Sequence, residues 1–447
     1  MNTYDAMTYA AARYPPDEDE DYPIWYDGKK INEVLFCEEF LQDHPMICIR
    51  DSFFTTEGRV TDETMLKKDI LDRIKPYVTS GVAKRAANLL DALRVECWSP
   101  PLPIYQNRIH VANGTLYLNG RFSEEREFCI NRLPVYYMPD APQPVKWLSF
   151  LDDLLEPDDI LTLQEYMGYC LIPSTKGQKM LIITGKGGEG KSRVGLVMRS
   201  LLGKSMNTGS IAKVETNPFA RADLEHELLL VDDDMKLEAL PQTNNIKSIV
   251  TAELPMDLER KGKQSYQGQL YVRFLGLGNG TLNSLYDRSV GFFRRQIILT
   301  AKERPKSRVD DPFIAEKMCA EAEGIFLWAL EGLQRLIGND YQFTISEQAQ
   351  ENMRAAVADG NNAIEFMQST GYIAFEPNAA ASSKDLYAAY KLWCEDNAYN
   401  ALSMKSFCNF LNQNAGTYHI EHTNNIYIGN GKRSRGFTGL RVLTCQF

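Results

Sequence analysis

Met180-Leu181-Ile182-Ile183-Thr184, followed by GKGGEGKS at residues 185–192, is the stretch on which the fold of this chain turns. The eight residues match the pattern G-x-x-x-x-G-K-[ST] at every fixed position. The run before them is apolar and β-branched, as a buried parallel strand should be. The run after them, Arg193 to Leu202, has helical spacing and ends at Gly203. Strand, glycine loop and helix in that order make a phosphate cradle. Gly185, Gly187, Gly188 and Gly190 let the backbone wrap an anion without Cβ clashes and turn successive N–H groups inward. The start of the helix adds partial positive charge. The expected ligand is ATP with Mg²⁺, held along Gly185, Lys186, Gly187, Gly188, Glu189, Gly190, Lys191, Ser192 and Arg193. Lys191 is expected at the β- and γ-phosphates and Ser192 on the metal.

Hydrolysis needs a carboxylate at the end of a neighbouring strand. Leu228-Leu229-Leu230-Val231-Asp232-Asp233-Asp234 supplies one: an apolar run with three acids at its C-terminal end, where open α/β sheets bind ligands. Asp232 is expected near Mg²⁺ and Asp233 on the attacking water, with Asp234 competing for either role. A third strand, Leu270 to Gly278, ends in Asn279, which suits a γ-phosphate sensor and equally suits a Gly-Asn-Gly turn. Asp287 to Arg295, DRSVGFFRR, precedes the strand Gln296–Leu299. Arg294 or Arg295 would stabilise transition-state charge on a neighbouring subunit's nucleotide, or else close a salt bridge with Asp287. Between these elements Arg260, Lys261 and Lys263 flank Gly262, the composition of a hairpin tip. Read alone it is a solvated basic turn; beside a nucleotide site it suits a nucleic-acid backbone.

The remainder of the chain sets the context. At 447 residues, with 44% apolar and 24% charged, it has the composition of an ordinary soluble protein of two to four domains. No stretch approaches the roughly 20 apolar residues of a membrane span, so no membrane partner is expected. Nine cysteines, odd in number and without a CxxC pair, suggest reduced thiols in a cytoplasmic protein (host cytoplasm if viral). The five histidines form no metal-ligand pattern. Net charge is −10, yet half of it falls in the first 36 residues, eight acids against three bases. Residues 423–447 carry Lys432, Arg433, Arg435 and Arg441 with no acid.

Residues 1–24 read as an acidic, solvated run containing DEDED at 17–21. Residues 25–175 read as an α-rich N-terminal domain with a β-hairpin at 108–122 around Asn113-Gly114 and two amphipathic helices at 147–155 and 158–171. The α/β core spans 176–335 and a polar helical linker 336–360. Residues 361–447 read as a small separate domain: helices at 383–398 and 403–412, strands at 417–421, 424–428 and 437–443. Ser403 suits an N-cap there, and the basic loop 429–436 suits phosphates.

Taken in order, these four elements resemble a superfamily 3 helicase of the AAA+ class. The flanks resemble phage, plasmid and poxvirus primase–helicases: Asn131 to Pro173 their preceding helical domain, Phe292-Phe293-Arg294-Arg295 and Glu323 to Leu333 their ATPase core, and Leu386 to Cys394 their C-terminal winged-helix module. The resemblance implies an α/β P-loop NTPase with an α-rich N-terminal domain and a C-terminal winged-helix domain. It implies a ring, usually a hexamer, translocating 3′→5′ on single-stranded DNA at a fork or origin, with a separate primase or polymerase as a possible partner. By position it implies Lys191 and Ser192 on nucleotide and Mg²⁺, Asp232 and Asp233 in the acidic motif, Asn279 as sensor, Arg294 or Arg295 as finger, and Lys261 and Lys263 on a DNA-gripping hairpin. Lys432, Arg433 and Arg435 fall on the wing, a module that docks on DNA or on protein. Two departures stand out. The acidic motif has no glutamate, and Glu189 stands where many relatives have Asn, so that it either opposes bound phosphate or points outward. No metal-binding acid constellation precedes the core, so priming is not expected of this chain alone. An origin-binding initiator that uses ATP as a switch, and an AAA+ ATPase independent of nucleic acid, are the competing readings.

Overall fold

The computed structural model describes residues 22–235, 243–279, 290–304, 311–360, 362–397, 399, 401–427 and 433–443. The chain divides into two compact units. Of the described residues, one comprises 22–235, 244–279, 299–304 and 311–346; the other comprises 243, 290–298 and those from 347 to 443. The first unit thus takes in both the stretch 25–175 and most of the central sheet.

That unit begins with three helices, Glu33–Asp43, Glu63–Ile74 and Val82–Glu96. The first is capped by Asn32, whose side chain accepts from the Val34 and Leu35 N–H groups. Their apolar faces close over Trp25, Phe36, Phe40, Ile70, Leu89 and Leu93. A three-stranded antiparallel sheet spanning Ile47–Arg59 adds β-structure that the helical periodicity of this region does not announce. The hairpin expected at 108–122 is the front of a second three-stranded sheet, Arg108–Val111, Gly114–Tyr117 and Phe122–Ser123. Its turn falls at Ala112-Asn113, because Gly114 already pairs with Val111. A Cβ at Gly114 would stand 2.1 Å from the Ser123 carbonyl oxygen, so the glycine serves strand packing and not the turn.

The centre is a parallel five-stranded sheet in the order Gln296–Thr300, Met180–Thr184, Arg273–Gly278, Leu229–Met235, Met206–Thr208. The apolar runs that read as buried strands are buried throughout: Met180 to Ile183 and Arg273 to Gly278. The edge strand Met206–Thr208 has no such run and is held by pairing with Leu229–Val231. The sheet has one irregularity at its ligand-facing end. Between Gly276 and Gly278 the register against the acidic strand shifts, Gly276 facing Asp232 and Gly278 facing Met235. Between those pairs one residue of the first strand, Leu277, stands against two of the other, Asp233 and Asp234, which is a bulge.

The helix Pro157–Tyr169 departs from the amphipathic reading: every residue from Thr162 to Tyr169 is buried. It packs against Ala322–Gly338, and two glycines set the distance. A Cβ at Gly168 would lie 2.2 Å from the Ala329 carbonyl oxygen, and one at Gly332 would lie 2.3 Å from that of Gln164. The polar residues drawn in by this contact are all engaged. Glu165 accepts from Arg335 Nε (2.7 Å) and from the Thr344 N–H and hydroxyl (both 2.7 Å), and Gln164 Nε2 donates to the Trp328 carbonyl (2.8 Å).

In the second unit, helices Asn362–Gln368, Ser383–Asp396 and Met404–Gln413 pack around Phe366, Tyr390, Trp393, Phe407 and Leu440. Its antiparallel sheet runs Ile373–Ser382, Arg433–Val442, Glu421–Tyr427. The first of these strands is not announced by its sequence, since the alanines and Pro377 have low β-propensity. Residues 417–419, read as strand from sequence, form a turn. No described helix is long and apolar enough to cross a membrane.

Replacing Gly332 with Ala is expected to cost about 2 kcal/mol or more by overpacking the helix contact. Gly338→Ala, on the same helix with nothing within 4 Å of its Cβ position, should be neutral or gain up to ~1 kcal/mol. Thermal or urea denaturation of both variants checks the contrast, and equal stabilities would refute the close-contact account.

Candidate functional site

A cleft of about 710 Å³ opens at the C-terminal ends of the sheet, where an open parallel sheet offers a ligand its loop N–H groups and helix starts. Residues 187–193 form one wall, Asp233 and Asp234 another, and Asn279 and Arg304 complete the rim with Lys146 and Asp153.

The strand Met180–Thr184 feeds the loop, and the helix Ser192–Leu202 leaves it with Lys191 as its first boundary residue. Gly187, Gly188 and Gly190 have φ of +107°, +84° and +103°, values a side chain would strain. The loop is pinned to its neighbours by Gly185 N–H donating to the Gly278 carbonyl (3.2 Å) and Ala301 N–H donating to that of Thr184 (2.8 Å). Ser192 is exposed to the cleft.

Lys191 is buried and its ammonium lies 2.6 Å from Glu189 Oε2 and 3.4 Å from Asn279 Oδ1. Glu189 does not point outward. Its other oxygen accepts from the Lys186 N–H and, at 2.7 Å, from the Gly187 N–H. Burial would raise the Glu189 carboxyl, but Lys191 and the loop N–H groups outweigh it and hold the carboxyl below its ordinary range. Lys186 reaches across to Glu303 in an exposed ion pair.

The three aspartates separate in depth. Asp232 is buried and accepts from the Ile211 N–H at 2.8 Å. Burial raises its carboxyl above the usual range, against the N–H groups of Ile211 and Asp234 that favour the charged form. Asp233 and Asp234 are exposed and both line the cleft. Strict strand alternation would put only one of them there; the bulge opposite Gly276–Gly278 admits both.

Among residues that the sequence did not single out, Arg304 is the most informative. It follows the strand Gln296–Thr300, and its Nη1 lies 3.9 Å from where a Cβ of Gly188 would be. The signal available for it was position: a cation just past the C-terminal end of a parallel strand. Lys146 and Asp153 come from the helix Val145–Leu154, far upstream, and carry no local signal. Arg294 is exposed, and Arg295 donates to the Gly291 carbonyl; neither is among the cleft-lining residues.

The basic hairpin is present as two short strands, Met256–Leu258 and Tyr266–Gly268, with Gly262 at φ +74° in its tip. Two of its three bases are tied back to the same unit. Arg260 Nη2 donates to Glu225 Oε2 (2.8 Å), and Lys263 Nζ pairs with Asp51 (2.9 Å). Glu225, itself buried, also accepts from Arg50 Nη1 (3.0 Å) and the Tyr266 hydroxyl. Lys261 is exposed and has no ion pair among the described residues. Of the C-terminal bases, Arg433 and Arg435 are exposed on the strand Arg433–Val442; Lys432 lies outside the described residues.

With this geometry in view, residues 183–295 match a family of unknown function, DUF5906. They take in the end of the loop strand, the whole loop, the acidic strand, the hairpin, Asn279 and both arginines of the FFRR stretch. The fold as a whole is similar to that of the NrS-1 C-terminal region. The apo structure of its residues 305–718 superposes with a TM-score of 0.52 at 12% identity, covering 91% of this chain and 99% of that one. Two further structures of the same region, both A-form apo structures, give 0.50 and 0.51 at 12% and 11% identity with the same coverage. The likeness is one of architecture: a mixed α/β protein built on a parallel five-stranded sheet.

The depth difference among the aspartates has a measurable consequence. Asp232→Ala orphans the buried Ile211 N–H and should cost about 1–3 kcal/mol of stability, whereas Asp233→Ala and Asp234→Ala should stay within ~0.5 kcal/mol. Chemical denaturation distinguishes them; a destabilised Asp233→Ala with an unaffected Asp232→Ala would reverse the assignment.

Proposed function

We propose that this chain is an ATP-hydrolysing DNA helicase of the superfamily 3 type, acting as a homo-oligomeric ring, with a hexamer and 3′→5′ movement expected, in the replication of a phage, prophage or satellite element. The observation that carries the reading is convergence. The loop residues 187–192, Lys191 and Ser192 among them, meet Asp233, Asp234 and Asn279 in one cleft although they come from separate stretches of sequence. Its volume lies in the range of small-ligand sites, and its inward N–H groups and lysine suit a triphosphate. The donor set suits Mg²⁺ as well. Ser192 offers a hydroxyl, and Asp233 and Asp234 offer exposed carboxylates. No cage of three or more His, Cys, Asp or Glu side chains exists among the described residues. Mg²⁺ favours that arrangement, one or two carboxylates with waters and substrate phosphates. Bound there, the metal would neutralise charge on the transferring phosphoryl group.

Within this reading Lys191 binds the β- and γ-phosphates, Asp233 and Asp234 share the metal and water roles, and Asn279 reports on the γ-phosphate. Asp232 supports the wall from beneath. Arg304 adds a positive charge from the same chain, and Arg294 or Arg295 serves a neighbouring subunit. Lys261 and the bases of the C-terminal sheet meet DNA, the C-terminal unit acting as a winged-helix module.

The reading requires ATP hydrolysis stimulated by single-stranded DNA and displacement of a strand from a 3′-tailed duplex, both lost in Lys191→Ala. A purified chain that hydrolyses ATP yet displaces no strand from either polarity of tailed duplex would refute the helicase assignment.

The hairpin allows a finer test. Because Arg260 and Lys263 are already paired within the chain, Lys261→Ala should weaken single-stranded DNA binding more than Arg260→Ala does. It should also lower the salt slope of binding by about one. Fluorescence anisotropy at several salt concentrations gives both quantities, and an unchanged slope in Lys261→Ala removes this lysine from the interface.

A further inference from the structure

Glu189 places a carboxylate where the loop is built to receive a phosphate. One oxygen takes the N–H groups of Lys186 and Gly187, the latter at 2.7 Å, and the other takes the Lys191 ammonium at 2.6 Å. Backbone N–H groups at the start of such a loop and the lysine at its end are the donors a polyphosphate uses. The side chain is almost fully buried, at 3% exposure. The pair sits directly over the first glycine. A Cβ at Gly185 would stand 2.8 Å from Glu189 Oε1 and 2.9 Å from Lys191 Nζ.

We propose that Glu189 is an internal phosphate mimic, a carboxylate latch that holds the loop's anion donors until a nucleotide polyphosphate displaces it. The inference rests on the nucleotide-binding reading of the cleft and adds a regulatory step to it. Its physics is competition. A carboxylate and a phosphate cannot share the same N–H groups and ammonium. Nucleotide affinity therefore falls below its intrinsic value in proportion to the open fraction of the loop. The latch also has a path out. Glu189 lies between Gly188 at φ +84° and Gly190 at φ +103°, two positions without a Cβ where the backbone can reorient at low cost. A latched loop keeps a deeply buried lysine paired, and it sets a threshold: polyphosphate must reach a certain concentration before the site fills.

The test uses the full chain with MgADP as probe and calorimetric or fluorescence titration as readout. Glu189→Gln keeps the shape but turns an amide toward the ammonium, and Glu189→Ala removes the latch. Both should bind MgADP roughly tenfold or more tightly than the natural chain, the effect expected from losing charge-assisted hydrogen bonds. Without nucleotide, amide hydrogen exchange at Lys186 and Gly187 should quicken in Glu189→Ala; MgADP should slow it again. Equal or weaker MgADP binding in both variants overturns the latch, and so does unchanged exchange at the two amides. Lys191→Ala separates the latch from the nucleotide site beneath it. If the natural chain binds MgADP and Lys191→Ala does not, the nucleotide reading stands whatever the Glu189 variants do. If neither the natural chain nor any Glu189 variant binds MgADP, that reading fails and the latch fails with it.

Discussion

The close approach of the strand Arg273–Gly278 to its acidic neighbour governs the geometry of the cleft. The strand lies between the loop strand and Leu229–Met235, and two glycines let it lie very close to the latter. A Cβ at Gly276 would meet Met235 Sδ at 2.7 Å, and one at Gly278 would meet the Met235 carbonyl oxygen at 2.7 Å. With Met235 drawn over Gly278, the acidic strand has one residue too many and bulges. That single extra residue is why two carboxylates reach the cleft and a third stays beneath it. The same strand ends in Asn279, so the feature that shapes the acidic wall also sets the asparagine against Lys191.

The elements of the sheet with long apolar runs were legible in the sequence because burial on both faces leaves a continuous signature: residues 180–184, 229–231, 273–278 and 296–299. Elements held by pairing alone were not. Met206–Thr208 is three residues long and polar at two, and Ile373–Ser382 is rich in alanine. The burial of Thr162–Tyr169 was hidden for a related reason. Its polar residues look solvent-facing until Arg335, Trp328 and Thr344 arrive from a segment more than 160 residues away. At the site, the loop declares itself through its glycines, but the difference in depth among Asp232, Asp233 and Asp234 depends on a bulge that alternation cannot encode. Arg304, Lys146 and Asp153 converge only through tertiary structure. Glu189 was visible as an oddity; which way it turned was decided by three donors converging on one carboxylate.

The hairpin illustrates how charge counted along a chain misleads. Arg260 and Lys263 read as exposed bases, yet both are matched by acids from elsewhere in the chain, and Glu225 gathers Arg50, Arg260 and Tyr266 around one carboxylate. A buried carboxylate with three donors is well satisfied, and removing any one of them leaves the carboxylate less compensated. The electrostatic footprint available to a polyanion is accordingly smaller than the composition of the tip suggests, and it is concentrated at Lys261.

The two compact units also have a consequence for how the molecule can be taken apart. Among the described residues, the second draws on 290–298 as well as on residues from 347 onward, so the backbone enters it, returns to the first unit over 299–346 and enters it again. No single cut separates them into whole pieces. A fragment that starts at Glu347 abandons residues 290–298, and one that stops at Ser346 carries that segment without the rest of its unit. The two units are interleaved along the backbone, so trimming the chain at one end excises neither of them whole.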